Sequence, residues 1–381
     1  MAIMTMDTLA AVSSIWKPII SLLDWMNKGI GNFGWTVVVF TLLLRLILTP
    51  FDIWQKIGMR KQKAKMDALR PQMAKIQKQY ANRPDILRQK QYELQKSAHI
   101  NLFSSCLPMI FTLVIFALIF QGFRQYIISA NEQIVSDLYN NVYVKFFIDN
   151  AQLINERLGD GSVIISGGQL TSLPSYELIQ RAGLVEELNA ALVDGYPLQS
   201  WLWVKNVFMS DTWANVIPNL DNFTSTSFGG VAATFPSDIK GVSYTELMQP
   251  ILDAYNKTKF TDVAHWNGYL VLPLLSILTS FVSTMLQQKM QPNMQMATGD
   301  EAQQKQQKMM NKIMVYIMPL VLGIFAIVYS AAFAIYYFVS NLYMTIVSIT
   351  FNLIAKKRDE RKAAQPIIIT AAQDDTKKKR K

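Results

Sequence analysis

The chain has 381 residues, 51% hydrophobic and only 17% charged, with a net charge of +10. Soluble domains carry about 25% charged residues, so the deficit points to lipid-facing segments, and the positive balance leaves nucleic acid or anionic lipid as candidate partners. One cysteine, Cys106, excludes an internal disulfide, and two histidines, His99 and His265, are too few for a structural zinc site.

Residues 1–29 lack the pattern of a signal peptide: Met1 to Ala11 holds no Lys or Arg, and no small-residue cleavage site follows an apolar core. Ile15, Ile19, Leu22, Leu23 and Met26 recur at helical spacing, with Lys17, Asp24 and Lys28 elsewhere. This reads as an amphipathic helix on the outer membrane surface; the plainer reading is a helix packed on an outer domain. Gly29 to Phe51 is then a 23-residue apolar stretch interrupted only by Arg45. A bilayer core needs about 20 apolar residues as helix, so residues 30–51 form a first span.

Residues 52–100 read as a helical hairpin. Met59, Met66, Leu69, Met73 and Ile76 share a face of its first arm, Ala81-Asn82-Arg83 make the turn, and Pro84 suits the first position of the second arm. Both arms are rich in Lys and Arg; the alternative is a solvated loop touching only headgroups. Asn101 to Phe123 is uncharged and makes a second span over 101–124. Residues 125–264 read as a mostly helical extracytoplasmic domain, with helical spacing over Glu177 to Leu192 and a short strand at Val163-Ile164-Ile165. Its acidic residues are scattered and form no catalytic constellation.

Trp266 to Gln288 supplies a third span over 265–288. A Met- and Gln-rich loop over 289–312 follows. Ile313 to Ala355 holds 43 residues without Asp, Glu, Lys or Arg, too long for one span at about 1.5 Å per residue. It fits two spans, 313–330 and 331–355, turning near Ser330, Ala331 and Ala332. A basic tail closes the chain over 356–381. The expected class is therefore an all-α membrane protein with five transmembrane helices.

Charge orients them. The 52–100 segment has 12 Lys and Arg against 4 Asp and Glu, the 289–312 loop 4 against 2, and the tail 10 against 4, whereas Gln125 to Asp262 has 7 against 15. With five spans the three basic segments share one side, which the positive-inside rule makes cytoplasmic, N-terminus out and C-terminus in. The tail, with Lys377, Lys378, Lys379, Arg380 and Lys381, has the charge to meet RNA phosphate or anionic lipid, or to be a plain solubilising tail.

Arg45 is the residue of interest. An arginine at the centre of a membrane helix costs about 2.5–3.5 kcal/mol on insertion scales, and the spans hold no Asp or Glu to pair with it. Either Arg45 snorkels to the cytoplasmic headgroups or a water-filled cavity opens to it. Thr41 lies one turn away; Ser276, Thr279, Ser280, Ser283 and Thr284 mark the third span, and Ser340, Asn341 and Thr345 the fifth. Each of these has a packing alternative, Asn341 least so, because an amide in lipid needs partners. The Met residues from Met285 to Met318 suit either a core or a surface for varied apolar clients.

The pattern resembles the YidC family of membrane protein insertases. Four features carry the resemblance: Gly34-Trp35 with Leu44-Arg45-Leu46 and Pro50-Phe51; Leu69-Arg70-Pro71 and Asn82-Arg83-Pro84; Ser105-Cys106-Leu107-Pro108-Met109; and Met309-Met310 before Met318-Pro319-Leu320, then Tyr336-Tyr337-Phe338-Val339-Ser340-Asn341. They fall within about residues 30–125 and 265–355. Ser104-Ser105 stands where the family has a glycine pair, Tyr337 where many members have Trp, and the 125–264 segment is longer than expected. With no lipobox Cys and no extra leading span, the chain is similar to the short, Gram-positive-like bacterial form.

The resemblance implies a bacterial plasma membrane protein with a hydrophilic groove, open to the cytoplasm and lipid, lined by Arg45, Thr41, Thr279, Ser283, Ser340, Asn341 and Tyr337. Arg45 would attract acidic residues in a client's tail; a charge pair at about 4 Å is worth roughly 4 kcal/mol at an effective dielectric near 20. The partners implied are newly made membrane proteins, the ribosome and the secretion channel (the Sec translocon), met by Lys56, Arg60, Lys61 and Arg70 of the hairpin and the five terminal cations. No ATP-binding G-x-x-x-x-G-K-[ST] occurs, and no cofactor, metal or DNA is implied. The rival readings are a transporter or channel, which wants polar residues through the whole membrane depth; an enzyme, for which Cys106 and His265 are the only candidates and neither has an obvious partner; and a ribosome-tethering scaffold.

Overall fold

A computed structural model describes residues 6–97, 103–290, 309 and 312–363. The chain is predominantly helical. Helix α1 (Met6–Ile30) precedes α2 (Phe33–Gln79), which a short turn joins to α3 (Pro84–Ser97). Helix α4 (Phe103–Leu138) passes through a π-helical turn, Tyr139–Val144, into α5 (Lys145–Asp149) and α6 (Ala151–Leu158). A two-stranded antiparallel hairpin pairs β1 (Ile165–Ser166) with β2 (Gln169–Leu170). Helices α7 (Tyr176–Ala182), α8 (Val185–Gly195), α9 (Leu220–Thr224) and α10 (Tyr244–Tyr255) complete that region. Helix α11 (Val271–Met290), α12 (Met318–Val328) and α13 (Ala331–Ala363) follow.

Among the described residues, α2 and α13 are long and apolar enough to cross a membrane, and Val271–Leu286 and Val315–Val328 are shorter apolar helices. Their outward faces carry Leu42, Leu43, Leu46 and Ile47 on α2, Leu274 and Leu278 on α11, Leu320 and Ile324 on α12, and Ile346, Leu353 and Ile354 on α13. Contiguous exposed apolar surface of this kind needs an apolar solvent.

The inward faces pack closely because small residues permit it. A Cβ on Gly323 of α12 would lie 2.2 Å from Ile277 Cγ1 of α11, so only glycine lets these two helices approach as they do. Gly122 of α4 likewise receives Ile19 of α1. Helix α1, expected to lie on the membrane surface, buries Leu23 and Met26 against the bundle while Trp25 and Leu22 stay exposed.

Helix α2 runs unbroken across Pro50 and Pro71, joining the apolar stretch and the first arm of the basic hairpin in one rod. On that arm Met66 and Met73 are buried, with Leu87 and Gln91 of α3 beneath them. The turn falls at residues 80–83, before Pro84.

The region after α4 has its own core, including Phe147, Ile154, Ile179, Leu188, Leu192, Leu247 and Ile251. The helical periodicity over Glu177 to Leu192 resolves into two helices, α7 and α8, because Gly183 ends the first in a left-handed cap at φ 66°. The strand lies at Ile165–Ser166 rather than starting at Val163, which is buried with its N–H and C=O tied to the Asn155 amide. Burial pushes the hydroxyls of Tyr143 and Tyr244 well above the ordinary phenol range, and that of Tyr244 donates to the Pro218 carbonyl at 2.7 Å.

One loop of this region, residues 200–211, caps the starts of three long helices. Asn32, the N-cap of α2, accepts from Trp35 N through its Oδ1 and donates its Nδ2 to the Ser200 carbonyl at 2.8 Å. Asp211, fully buried, accepts from Tyr269 N at 2.8 Å and from Leu272 N at 2.7 Å at the start of α11. Ala331 N and Ala332 N, opening α13, donate to the carbonyls of Met209 and Val207 at 2.7 and 2.9 Å. The loop is itself held by Asn267, whose Oδ1 accepts from Asn206 N while its Nδ2 donates to the carbonyls of Asn206 and Ser210. Trp201 rests on Gly34 of α2, where a Cβ would fall 2.3 Å from the indole ring. Phe33 stacks on Tyr126 of α4 with centroids 4.5 Å apart and meets Phe208 edge-on at 5.3 Å.

Candidate functional site

The polar residues of α2 do not scatter around the helix. Arg45, Asp52 and Lys56 are seven and eleven residues apart in register, two and three turns, so they fall on one face. That face meets α13 along a polar seam. Arg45 is half-buried, and its Nε donates to Ser340 Oγ at 2.7 Å while Nη2 also reaches that hydroxyl. One turn further, Thr49 Oγ1 and Tyr343 Oη lie 2.7 Å apart, and Thr49 also donates back to the Arg45 carbonyl at 2.7 Å when it is the donor. Lys56 Nζ then donates to Ser348 Oγ at 3.0 Å, and Arg60 pairs with Asp359 where α13 emerges.

Among the described residues, Asp52 Oδ2 is buried without a hydrogen-bond partner. Arg45 and Lys56 both act on this carboxylate electrostatically from either side. A lone buried carboxylate is costly; two flanking cations make it tolerable. Arg45 thus has a carboxylate within its field, just past the end of the apolar stretch, where a count of charges inside the spans misses it.

A second polar cluster lies between α11 and α13. Ser276 Oγ donates to the Ala334 carbonyl at 3.1 Å, and Ser280 Oγ and Tyr337 Oη are 2.8 Å apart. Asn341, on the same stretch of α13, interacts with Tyr337, and its Nδ2 is buried without a hydrogen bond among the described residues. Tyr336, fully buried, interacts with both Arg45 and Ser340.

The structure therefore brings Arg45 and Ser340 together, and Tyr337 with Asn341 beside them on α13. It does not bring Thr41 and Thr279 into the cluster. Thr41 is fully buried and donates to the Val37 carbonyl at 2.6 Å, and Thr279 donates to the carbonyls of Leu275 and Ser276. Both hydroxyls satisfy their own helix, the usual fate of threonine in an apolar helix. Ser283 is buried on α11.

Lys56 was expected on an exposed receiving surface. It is 4% exposed instead, its ammonium committed to Ser348 and the Asp52 field. The apolar stretch appears to end at Asp52 in sequence only; the helix and its buried face continue for another turn. Arg60 is tied to Asp359, Arg70 pairs with Asp67 at 3.1 Å, and Lys61 is exposed. Lys377 to Lys381 lie outside the described residues, as does the Met- and Gln-rich loop over 291–308. His265 does have a neighbour: its Nδ1 is 2.9 Å from Asp262 Oδ2, on an exposed turn. No group of three metal-ligating side chains occurs among the described residues.

The family described as 60Kd inner membrane protein matches residues 25–155 and 193–359. The chain belongs to this family. Both arms of the seam, α2 and α13, lie inside the matched ranges. The unmatched stretch, 156–192, carries the β-hairpin, α7 and most of α8. It lies within the 125–264 segment that is longer than the resemblance leads one to expect.

Proteins named membrane protein insertase YidC are among its relatives. That of Wolinella succinogenes is 36% identical over 105 residues, 28% of this chain and 19% of the relative. That of Caldanaerobacter subterraneus is 33% identical over 105 residues, 28% of this chain and 49% of the relative. That of Fusobacterium nucleatum is 34% identical over 110 residues, 29% of this chain and 52% of the relative. The chain thus matches between about a fifth and about half of the length of these curated relatives. As a family member it is a bacterial membrane protein.

Proposed function

We propose that the chain is a membrane protein insertase: it moves the short polar tails of client membrane proteins across the bilayer through a hydrophilic groove and releases their helices into lipid. In this reading the spans are residues 30–51, 101–124, 265–288, 313–330 and 331–355, with the 125–264 domain outside and the basic segments in the cytoplasm. The names of the relatives, the charge distribution and the apolar outward faces of α2, α11, α12 and α13 support it.

The observation that carries the mechanism is Arg45. A guanidinium has five N–H donors and no acceptor, and here it is anchored on the Ser340 hydroxyl with Tyr336 beside it. Anchoring fixes its position and leaves donors for a carboxylate, which guanidinium binds bidentately. An acidic residue in a client tail is the matching group. Transfer of the tail is driven by burial of the following apolar helix at roughly 25 cal/mol per Å², so no nucleotide is required. Exposed cations of the hairpin, such as Lys61, and the basic tail by its charge would receive clients and the ribosome, with the secretion channel as a further partner.

The test is insertion of a single-span client with an acidic N-terminal tail into vesicles holding the protein. Arg45→Ala should lower insertion about tenfold or more, and Arg45→Lys should recover part of it. Equal insertion by the Ala variant would assign Arg45 to helix packing and remove the charge mechanism.

A further inference from the structure

A recess opens at the end of the bundle remote from the basic hairpin. One wall is α4, the other is the turn between α12 and α13, and loops of the outer domain close the top. Phe120 of α4 meets Tyr329 edge-on at 4.6 Å and Phe333 at 5.3 Å, giving an aromatic floor. Phe228 of the outer domain covers Tyr329 at 4.9 Å.

Arg124 projects into this recess, half-buried. It is the first charged residue after the apolar run of α4. The recess has no carboxylate in its lining, and no hydrogen bond or ion pair of Arg124 occurs among the described residues. Asn222 and Ser330 add an amide and a hydroxyl to the same lining. A partly buried guanidinium with no anion is costly, and it recruits one.

The level of the recess narrows the choice of anion. The α12–α13 turn and Arg124 both mark where apolar helices end, so the recess sits at a membrane–water boundary. Its lining sets aromatic rings, those of Phe120, Tyr329 and Phe333, beside the polar groups of Arg124, Asn222 and Ser330. A free phosphate uses only the second half of this lining; an amphiphile uses both. We propose that the recess binds an anionic phospholipid of the leaflet opposite the basic hairpin, with Arg124 on the headgroup phosphate, Asn222 and Ser330 beside it, and an acyl chain along Phe120 and Phe333. The proposal requires these helix ends to lie at a membrane surface. It does not depend on the insertase reading.

The experiment uses the full chain in mild detergent with three probes: short-chain phosphatidylglycerol, short-chain phosphatidylcholine and glycerol phosphate. Bound lipid is counted by native mass spectrometry and affinity is measured by calorimetry. Phosphatidylglycerol should bind one site more tightly than phosphatidylcholine. Arg124→Gln should weaken it about tenfold and Arg124→Lys by less. Lys145→Gln, which removes an exposed cation elsewhere in the outer domain, should leave the site unchanged. Because Arg124 has no partner to lose among the described residues, the Gln variant should melt like the parent when lipid is absent. Asn222→Trp, which blocks the mouth from an exposed position, should abolish binding with Arg124 in place. Binding by the Arg124→Gln or Asn222→Trp variant within twofold of the parent overturns the proposal. Glycerol phosphate binding as tightly as the lipid also overturns it, in favour of a soluble-anion site.

Discussion

The outer domain and the basic hairpin both extend beyond the apolar helices, but they are attached in opposite ways. The outer domain reaches back through loop 200–211 and supplies hydrogen-bond acceptors at the starts of α2, α11 and α13. Three of its buried polar side chains, Asp211, Asn206 and Asn267, are satisfied by backbone. The hairpin is joined to the bundle by continuation of α2 and by the Arg60–Asp359 pair at its base. Above that base, Met66, Met73, Leu87 and Gln91 are its buried residues, and the Arg70–Asp67 and Lys90–Glu93 pairs lie within single helices. Such pairs hold a helix but do not orient it. One end of the molecule is tied to the starts of three helices by hydrogen bonds, and the other chiefly by the continuation of one helix.

The contrast breaks most severely at Asp211. Asp211→Ala leaves two buried N–H groups at the start of α11 without acceptors, at about 1–3 kcal/mol each. Thermal unfolding in micelles should drop accordingly, and hydrogen exchange at residues 267–275 should accelerate while that of the hairpin does not. Gly34→Leu is next. It drives a side chain into Trp201, and overpacking of this kind costs about 1–3 kcal/mol. Its signature should be a changed environment of the Trp201 indole, read by fluorescence, with the hairpin unaffected.

The remaining two tests concern the other end. Asp52→Asn removes the carboxylate between Arg45 and Lys56 and so raises the positive potential of the seam. Insertion of acidic-tailed clients should rise about fivefold, with neutral-tailed clients unchanged, given about 1 kcal/mol for one charge at roughly 10 Å and intermediate dielectric. Equal effects on both clients would make Asp52 a packing residue. The smallest change is expected from Glu93→Gln. Lys90 holds the Glu93 carboxyl below its usual range, so the pair contributes above the unfolded carboxylate pKa of about 4.3 and is lost as pH falls through the folded value. Both residues are exposed, and amide exchange in the hairpin should change by about twofold at most, at neutral pH only.

Much of this plan is legible in the sequence, for identifiable reasons. Pro84 after Ala81-Asn82-Arg83 marks the hairpin turn because proline suits a helix start. The uncharged 43-residue run must turn midway, and it does so at 329–330, next to the small residues that loop 207–209 caps. Arg45 stands out because a charge in an apolar helix needs a reason. Its partner was harder to read. Ser340 was one of several hydroxyls on α11 and α13, and only the α2–α13 packing selects it over Thr279 or Ser283. Asp52 and Lys56 were hidden by treating the end of the apolar run as the end of the buried face; a helical wheel carried past Pro50 places both under Arg45. The capping loop was out of reach altogether, because Ser200, Val207 and Met209 act through backbone carbonyls that no side-chain pattern reports.

The 47-residue length of α2 has a mechanical consequence. From Arg45 to the hairpin turn the helix spans roughly 50 Å at about 1.5 Å per residue. It is a lever with its short arm clamped by Asn32 and Trp201 and its long arm running to the hairpin turn. Pro50, one turn beyond Arg45, removes a backbone hydrogen bond at the fulcrum. A tilt of about 10° there sweeps the hairpin tip by roughly 8 Å, over the roughly 44 Å of helix beyond Pro50, while the guanidinium shifts by little more than about 1 Å. A force on the tip would therefore adjust the seam by small, geared-down displacements, and a charge change at Arg45 would be read out as a large excursion of the tip.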